Sequence, residues 1–179
     1  RKRRLMKRVN KILISFGISD TRDLALRVLC ALKGIEFDGC IDVVVGSSAP
    51  ILPAIKEKAA VMGDRVQVIS DVENMSTLMV DADLAIGGGG TTAWERCALG
   101  LPAIVIPVAE NQATVSRALR EADAIWLLNY EAGAPSMLRG NILEILKDVT
   151  SYRRKSIAAA AVCDANGCSR MLEMIDCHA

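Results

Sequence analysis

The sequence predicts an α/β protein in which helices cover both faces of a six-stranded parallel sheet, giving a three-layer sandwich. Of its 179 residues, 51% are apolar and only 3% are aromatic, which favours an aliphatic sheet over a β-sandwich. Six short apolar runs alternate with segments of helical periodicity, a pattern that demands parallel strands joined by right-handed crossovers. A chain of this length forms one domain and buries roughly 70% of its unfolded surface.

Each predicted strand is an aliphatic run that ends at glycine or at small polar residues. The strands are expected at Lys11–Phe16, Ile41–Val45, Val66–Ile69, Leu84–Ile86, Ala103–Val108 and Ala124–Leu128. The helices between and after them are expected from Ser19 or Asp20 to Leu32, at Ile51–Met62, from Asn74 or Ser76 to Val80, from Thr92 to Leu99, and at Ala113–Glu121, Ser136–Asp148, Thr150–Val162 and Asn166–Ile175.

Several helix starts carry a residue type with a physical reason to be there. Ser19 or Asp20 can cap the first helix, because a short polar side chain accepts a bond from a free N–H of the first turn. Asn74 or Ser76 can cap the third helix in the same way. Pro50 lies near the start of the second helix, where proline is tolerated.

The chain is organised around one stretch, from Asp83 to Gln112, whose sequence is DLAIGGGGTTAWERCALGLPAIVIPVAENQ. Thr92 and Glu95 have the spacing of a capping box, which marks the start of a helix. Its end is marked by Gly100, which suits a left-handed C-cap, and Pro102 then prevents the helix from continuing.

Four consecutive glycines, Gly87 to Gly90, lie between the apolar strand and this helix. Backbone N–H groups and the helix dipole converge on an anion at such a position, usually a phosphate. A side chain here would keep a phosphate away from the backbone, so glycine is required. The stretch is therefore predicted to bind a diphosphate.

Polar and glycine-rich segments follow the predicted strands, at the edge where ligands bind to parallel sheets. These segments are Gly17–Ser19, Gly46–Ser48, Ser70–Glu73, Gly87–Thr92 and Glu110–Gln112. Because the carboxyl ends of parallel strands meet at one edge of the sheet, they are expected to form a single crevice.

Two residues and one motif in the central stretch have competing interpretations. Gly88, Gly90 and Ala93 match a dinucleotide fingerprint, but that motif belongs to the first strand–helix unit and here lies in the fourth, so NAD is the weaker ligand. Glu95 is interpreted either as half of the capping box or as a carboxylate that accepts hydrogen bonds from ribose hydroxyls. Trp94 is interpreted as a packing residue rather than a base-stacking one.

Charge is distributed unevenly along the chain. Seven of the 22 basic residues lie within residues 1–11, which leaves 15 basic and 21 acidic residues, a net charge of −6, in the remainder. Residues 1–10 are interpreted as a basic linker from a missing N-terminal domain, and residues 11–179 as the ligand-binding domain. A nucleic-acid arm is the weaker interpretation, since no aromatic residues or further basic face accompany it.

No apolar run approaches the ~20 residues of a membrane span, and nothing resembles a signal peptide. The six cysteines lack the spacing of a disulfide framework, so reduced thiols and a cytoplasmic location are expected. Cys163, Cys168, Cys177 and His178 match no paired-cysteine zinc pattern, and neither a metal nor a cofactor is expected.

The segment GGGGTTAWERCALGLPAIVIPVAENQ resembles the C-terminal half of GT-B-type nucleotide-sugar enzymes, whose fold is Rossmann-like. It is most similar to the UDP-sugar hydrolases of pseudaminic acid biosynthesis and the related spore-coat polysaccharide proteins. The segments KILISFGISDTRDLALRVLCAL and IDVVVGSSAP extend the resemblance over roughly Lys11 to Leu128. The wider GT-B relatives, such as the lipid-II GlcNAc transferases, share only the outline of the motif.

The resemblance implies a UDP or UDP-sugar ligand and a role for each of eleven residues. Gly89, Gly90, Thr91 and Thr92 would hold the diphosphate, with Gly17 and Ser19 facing it. Val72 would contact uracil through its backbone with Met75 packing nearby, Glu95 would bind the ribose, and Asn111 and Gln112 would reach the sugar. Ile18 and the fourth glycine depart from the family pattern and leave the geometry of the phosphate contacts open.

In the family that this chain resembles, a separate N-terminal domain supplies the acceptor side and the catalytic histidine. The only histidine here is His178, at the end of the chain, so no catalytic residue is assigned. The resemblance thus implies the UDP-binding half of a hydrolase in surface polysaccharide biosynthesis. A glycosyltransferase half and a non-catalytic nucleotide-binding module are the alternatives.

Overall fold

The computed structural model describes residues 8–17, 20, 22–129 and 135–176. It contains the six predicted strands, which are β1 (Lys11–Ser15), β2 (Cys40–Val44), β3 (Val66–Ile69), β4 (Leu84–Gly87), β5 (Ala103–Val105) and β6 (Ile125–Leu127). They form one sheet in the order β3-β2-β1-β4-β5-β6, and every pair of neighbours is parallel. The predicted parallel sheet is confirmed, and its order is that of a doubly wound Rossmann-like fold.

The helices follow the predicted order closely. They are α1 (Leu24–Lys33), α2 (Leu52–Met62), α3 (Met75–Asp81), α4 (Thr92–Ala98), α5 (Ala113–Glu121), α6 (Pro135–Lys147), α7 (Val149–Val162) and α8 (Gly167–Asp176), with a 3₁₀ turn at Glu110–Gln112. No helix in these described ranges is long and apolar enough to cross a bilayer.

Alternate residues of the strands enter two separate cores, one on each face of the sheet. Ile12 and Ile14 of β1 pack with α1, α2 and α6, whereas Leu13 between them packs with α3, α4, α5 and α7. This period of two confirms the three-layer arrangement. The second face carries the small residues Ala85 and Ala103, and small side chains leave room for helices to pack close to the sheet.

The fifth strand is shorter than the sequence predicts. It was expected to reach Val108, but β5 ends at Val105, although Ile106 N–H still donates to Gly87 O at 2.9 Å. Pro107 follows and has no N–H with which to extend the ladder.

The predicted end of α4 is confirmed, whereas α1 begins at Leu24 with Asp23 as its N-cap rather than directly after Ser19 or Asp20. The Asp20 carboxylate accepts bonds from Leu24 N and Ala25 N at 3.0 and 2.8 Å, which satisfies free donors at the start of α1. Burial raises the pKa of that carboxyl group. At the end of α4, Gly100 has φ +58°, and the N–H groups of Gly100 and Leu101 return to Cys97 O and Arg96 O in a Schellman motif.

Candidate functional site

A crevice of about 260 Å³ opens at the carboxyl edge of the sheet, between the loops after β1, β2 and β3 and the start of α4. Its lining combines strand ends, loop residues and the first residues of two helices: Ser15, Gly17, Val44, Val45, Gly46, Asp71, Val72, Met75 and Thr92. This is the edge at which the sequence predicts ligand binding. A larger hollow of about 420 Å³ lies at the opposite edge, beside Asn10, Gly39 and Leu146, and contains none of the predicted site residues.

The structure brings four of the predicted site residues together in this crevice. Gly17, with φ +94°, lies across the crevice from Val72 and Met75, and Thr92 lies at the first turn of α4. Val72 and Met75 line the crevice because the loop between β3, which ends at Ile69, and α3, which starts at Met75, lies at this edge of the sheet. Residues predicted to bind phosphate and the loop predicted to contact uracil therefore line the same cavity.

The other predicted residues lie around the crevice rather than in its lining. Thr91, Glu95 and Asn111 are exposed, and Gly89 and Gly90 belong to the loop between β4 and α4. Ser19 is outside the described residues. Trp94 is 43% exposed and belongs to neither core, and its expected role as a packing residue stays a prediction.

The predicted capping box does not form. Thr91, not Thr92, is the N-cap of α4, and its side chain makes no capping hydrogen bond. Thr92 is already the first helical residue and faces the crevice. The structural interpretation of Glu95 therefore fails, and its exposed carboxylate remains available to a ligand.

The glycine loop is packed against neighbouring elements on both sides. A Cβ on Gly87 would come within 2.2 Å of Ser15 O and 2.6 Å of Arg96 Nη1. Such contacts are sterically forbidden, so this glycine is required by the approach of β4 to β1. A Cβ on Gly90 would meet only Gln112 Nε2 at 3.6 Å, an ordinary contact.

The side chain of Gln112 holds this loop in place. Its Oε1 atom accepts hydrogen bonds from Gly89 N at 2.9 Å and from Val108 N at 3.1 Å. The resemblance implies a contact between Gln112 and the sugar, whereas the structure places its carbonyl oxygen on the backbone of the glycine loop.

Arg96 is a site residue that the sequence analysis missed. It lies on α4 beneath the glycine loop, is 3% exposed, and donates a hydrogen bond from Nη2 to Gly88 O. Burial lowers the pKa of Arg96 to about 10, which still leaves it charged at neutral pH. Its spacing from Ala93 and Cys97 places it on the buried stripe of the helix, a signal that the sequence contains.

Asp71 is a second residue that the analysis missed. Its carboxylate accepts a hydrogen bond from Ser47 N at 3.3 Å, which ties the loop after β3 to the loop after β2. It has φ +54°, a conformation in which aspartate and asparagine are enriched among residues with side chains. The contact braces one wall of the crevice.

The described residues contain no group of three or more histidine, cysteine, aspartate or glutamate side chains that could hold a metal ion. The described cysteines, Cys30, Cys40, Cys97, Cys163 and Cys168, are free. Cys177 and His178 lie outside the described residues.

Fold and crevice together define the C-terminal half of a GT-B fold, with a six-stranded parallel sheet and a ligand crevice at its carboxyl edge. The structure superposes on the crystal structure of MurG from Acinetobacter baumannii with a TM-score of 0.79. The match has 20% sequence identity and covers 96% of this chain and 50% of that protein.

Residues 19–170 match the model of the glycosyltransferase family 28 C-terminal domain, so the chain belongs to that family. It is 28% identical over 122 residues to the spore coat polysaccharide biosynthesis protein SpsG of Bacillus subtilis, covering 67% of this chain and 36% of SpsG. It is 33% identical over 102 residues to the protein MJ1062 of Methanocaldococcus jannaschii, covering 56% of this chain and 21% of MJ1062. The chain thus spans well under half the length of these two relatives.

Proposed function

We propose that this chain is the UDP-binding domain of a nucleotide-sugar hydrolase that releases UDP from a UDP-linked amino sugar in surface polysaccharide or nonulosonate biosynthesis. The observation that carries the proposal is the crevice itself. Gly17 and Thr92, which we assign to the phosphates, and Val72 and Met75, which we assign to the base, all line it. Membership of a glycosyltransferase C-terminal domain family and the similarity to SpsG support the same ligand class.

The chemistry proposed for the intact protein is attack of water on the anomeric carbon of the sugar. A bond forms from the water oxygen to that carbon, while the bond from the carbon to the diphosphate oxygen breaks. UDP leaves with the electron pair, and the water proton passes to a general base. We assign that base to an N-terminal partner domain, which residues 1–10 would join to this one.

What this chain can contribute is stabilisation of the leaving diphosphate. Negative charge increases on UDP as the bond breaks, and donors already aimed at that charge lower the barrier without further reorganisation. The hydroxyl of Thr92 and the backbone around Gly17 line the crevice where the diphosphate would lie. The exposed Glu95 carboxylate would accept bonds from the ribose hydroxyls.

A glycosyltransferase is the second candidate, because a transferase binds the same nucleotide and differs only in the acceptor that attacks the sugar. The match to a glycosyltransferase family favours it. Incubation of the intact protein with a UDP-sugar in buffer alone separates the two. Release of free sugar and UDP without an added acceptor supports the hydrolase, and release that needs an acceptor supports the transferase.

The nucleotide is tested by thermal unfolding with millimolar UDP, UMP, ADP and NAD in parallel. A ligand at 100 times its Kd adds about 2.7 kcal/mol to the free energy of unfolding, which shifts the midpoint visibly. We expect the largest shift with UDP, a smaller one with UMP and none with ADP or NAD. A shift with NAD alone would overturn the proposal.

A further inference from the structure

We propose that Arg96 is a positioning residue for the ligand's diphosphate: it places a buried positive charge beneath the crevice and turns the Gly88 carbonyl away from the phosphates. The inference rests on the proposed function, since it requires a nucleoside diphosphate in the crevice. It adds a residue and a role that the sequence motif did not indicate.

The charge of Arg96 is only partly compensated within the described part of the chain, by the hydrogen bond to Gly88 O and by the electrostatic attraction of the neighbouring Glu95. The guanidinium is 3% exposed, and no carboxylate among the described residues forms a salt bridge with it. Its Nε atom is buried and has no hydrogen-bond partner there. A buried charge without a salt-bridge partner is costly, so a nearby anionic ligand would be stabilised by it.

The position of the guanidinium identifies which ligand group would benefit. Arg96 lies in a closed space with Ser15 and Thr92, and both of these residues also line the crevice. Its Nη1 atom lies 2.6 Å from the point that a Cβ on Gly87 would occupy. Arg96 therefore lies beside three crevice residues, Ser15, Met75 and Thr92, and Thr92 is one of those assigned to the phosphates.

Arg96 and Gln112 hold opposite ends of one peptide group. Nη2 of Arg96 donates to Gly88 O, and Oε1 of Gln112 accepts from Gly89 N at 2.9 Å. The described chain has no cis peptide bonds, so this carbonyl and this N–H point in opposite directions. Because the Gly88 oxygen is bonded to Arg96, the negative end of this peptide dipole cannot turn toward a bound phosphate. Stabilisation of a developing negative charge requires dipoles that are preorganised in this way.

The test compares Arg96→Met, which removes the charge at similar length, with Arg96→Lys, which keeps it. Calorimetry on the protein at its natural length gives the Kd values of UDP, UMP and uridine, and thermal unfolding without ligand gives the midpoint. We expect Arg96→Met to weaken UDP binding by about tenfold or more, UMP binding by less, and uridine binding by less than about twofold. Arg96→Lys should recover most of the UDP affinity.

The graded loss separates a charge effect from a structural one. If Arg96 only supports the loop, UDP and uridine affinities will fall by the same factor, or Arg96→Lys will bind UDP no better than Arg96→Met, and either result overturns the inference. Should Arg96→Met fail to fold, Arg96→Gln provides the same comparison, because its amide can still donate to Gly88 O without a charge.

Failure of this inference is distinguishable from failure of the proposed function. Wild-type protein that binds UDP, together with an Arg96→Met variant of unchanged UDP affinity, overturns the role of Arg96 alone. Wild-type protein that binds no UDP overturns both.

Discussion

The hydroxyl of Ser116 on α5 lies directly beneath Gly89, and a Cβ on that glycine would come within 2.3 Å of Ser116 Oγ. Ser116 is fully buried, and its Oγ has no hydrogen-bond partner among the described residues. The close approach therefore reflects packing of the glycine loop on α5. It gives Gly89 a structural reason to be glycine that is independent of any phosphate.

Gly89→Ala is expected to lower the free energy of unfolding by about 1–3 kcal/mol, because the added methyl group overpacks the contact with Ser116. Gly90→Ala is the matched control from the same loop. Its methyl group meets only Gln112 Nε2 at 3.6 Å, so stability should stay within about 0.5 kcal/mol while UDP binding weakens.

Denaturant unfolding of Gly89→Ala, Gly90→Ala, Ser116→Ala and the double variant Gly89→Ala/Ser116→Ala measures this relationship. Removal of Ser116 Oγ should restore part of the stability, which appears as a coupling energy in the double-mutant cycle. A Gly89→Ala variant as stable as the wild type would contradict the packing argument.

Glu95→Ala tests the role of the exposed carboxylate on α4. Since the predicted capping box does not form, stability should change by less than about 0.5 kcal/mol. UDP affinity should fall by about tenfold, because the variant loses the hydrogen bonds from the ribose hydroxyls to a charged carboxylate. The preference for UDP over its 2′-deoxy analogue should fall with it.

The control for Glu95 is Glu110→Ala, which removes another exposed carboxylate, in the 3₁₀ turn Glu110–Gln112. That variant should keep both the affinity and the preference for the 2′-hydroxyl. Titration of UDP and the 2′-deoxy analogue into each variant decides the matter, and an unchanged ratio in Glu95→Ala would rule out ribose binding by this residue.

Asp123 links α7 to the sheet through Lys155, whose ammonium group is almost completely buried and lies 5.6 Å from the centre of the Trp126 ring. The hydrogen bond from Lys155, with a second from Arg154, holds the pKa of Asp123 below its ordinary value. A lowered pKa means that the folded state favours the ionised carboxylate. Its stabilisation is present above the ordinary pKa near 4 and is lost as the pH falls through the lowered value.

Asp123→Asn is accordingly expected to lower the thermal midpoint at pH 7, with the difference from the wild type disappearing as the pH falls through the lowered pKa of Asp123. Asparagine tolerates the φ of +57° at this position, so the variant removes the charge and not the backbone conformation. Asp64→Asn, at an exposed position in the turn before β3, is the control. A difference that persists unchanged at low pH would show that the ion pair is not its cause.

The sequence by itself determined the local elements, because their signals are local. Strand periodicity and the left-handed Gly100 each depend on a few neighbouring residues, and the structure confirms both. Asp20 accepts hydrogen bonds from the first turn of α1, but the N-cap of that helix is Asp23. The location of the crevice could also be predicted from the sequence, because parallel strands that alternate with helices place their carboxyl ends at one edge of the sheet.

Only the tertiary structure decided how the glycine loop is held. The hydrogen bond from Arg96 to Gly88 O, the bond from Gly89 N to Gln112 Oε1 and the packing of Gly89 on Ser116 join residues that lie 8, 23 and 27 positions apart in the sequence. No local propensity encodes these contacts. These contacts form only when the two cores pack, because buried polar groups then take the hydrogen-bond partners that lie near them in space. Among those polar groups, Arg96 keeps a charge that a ligand can use.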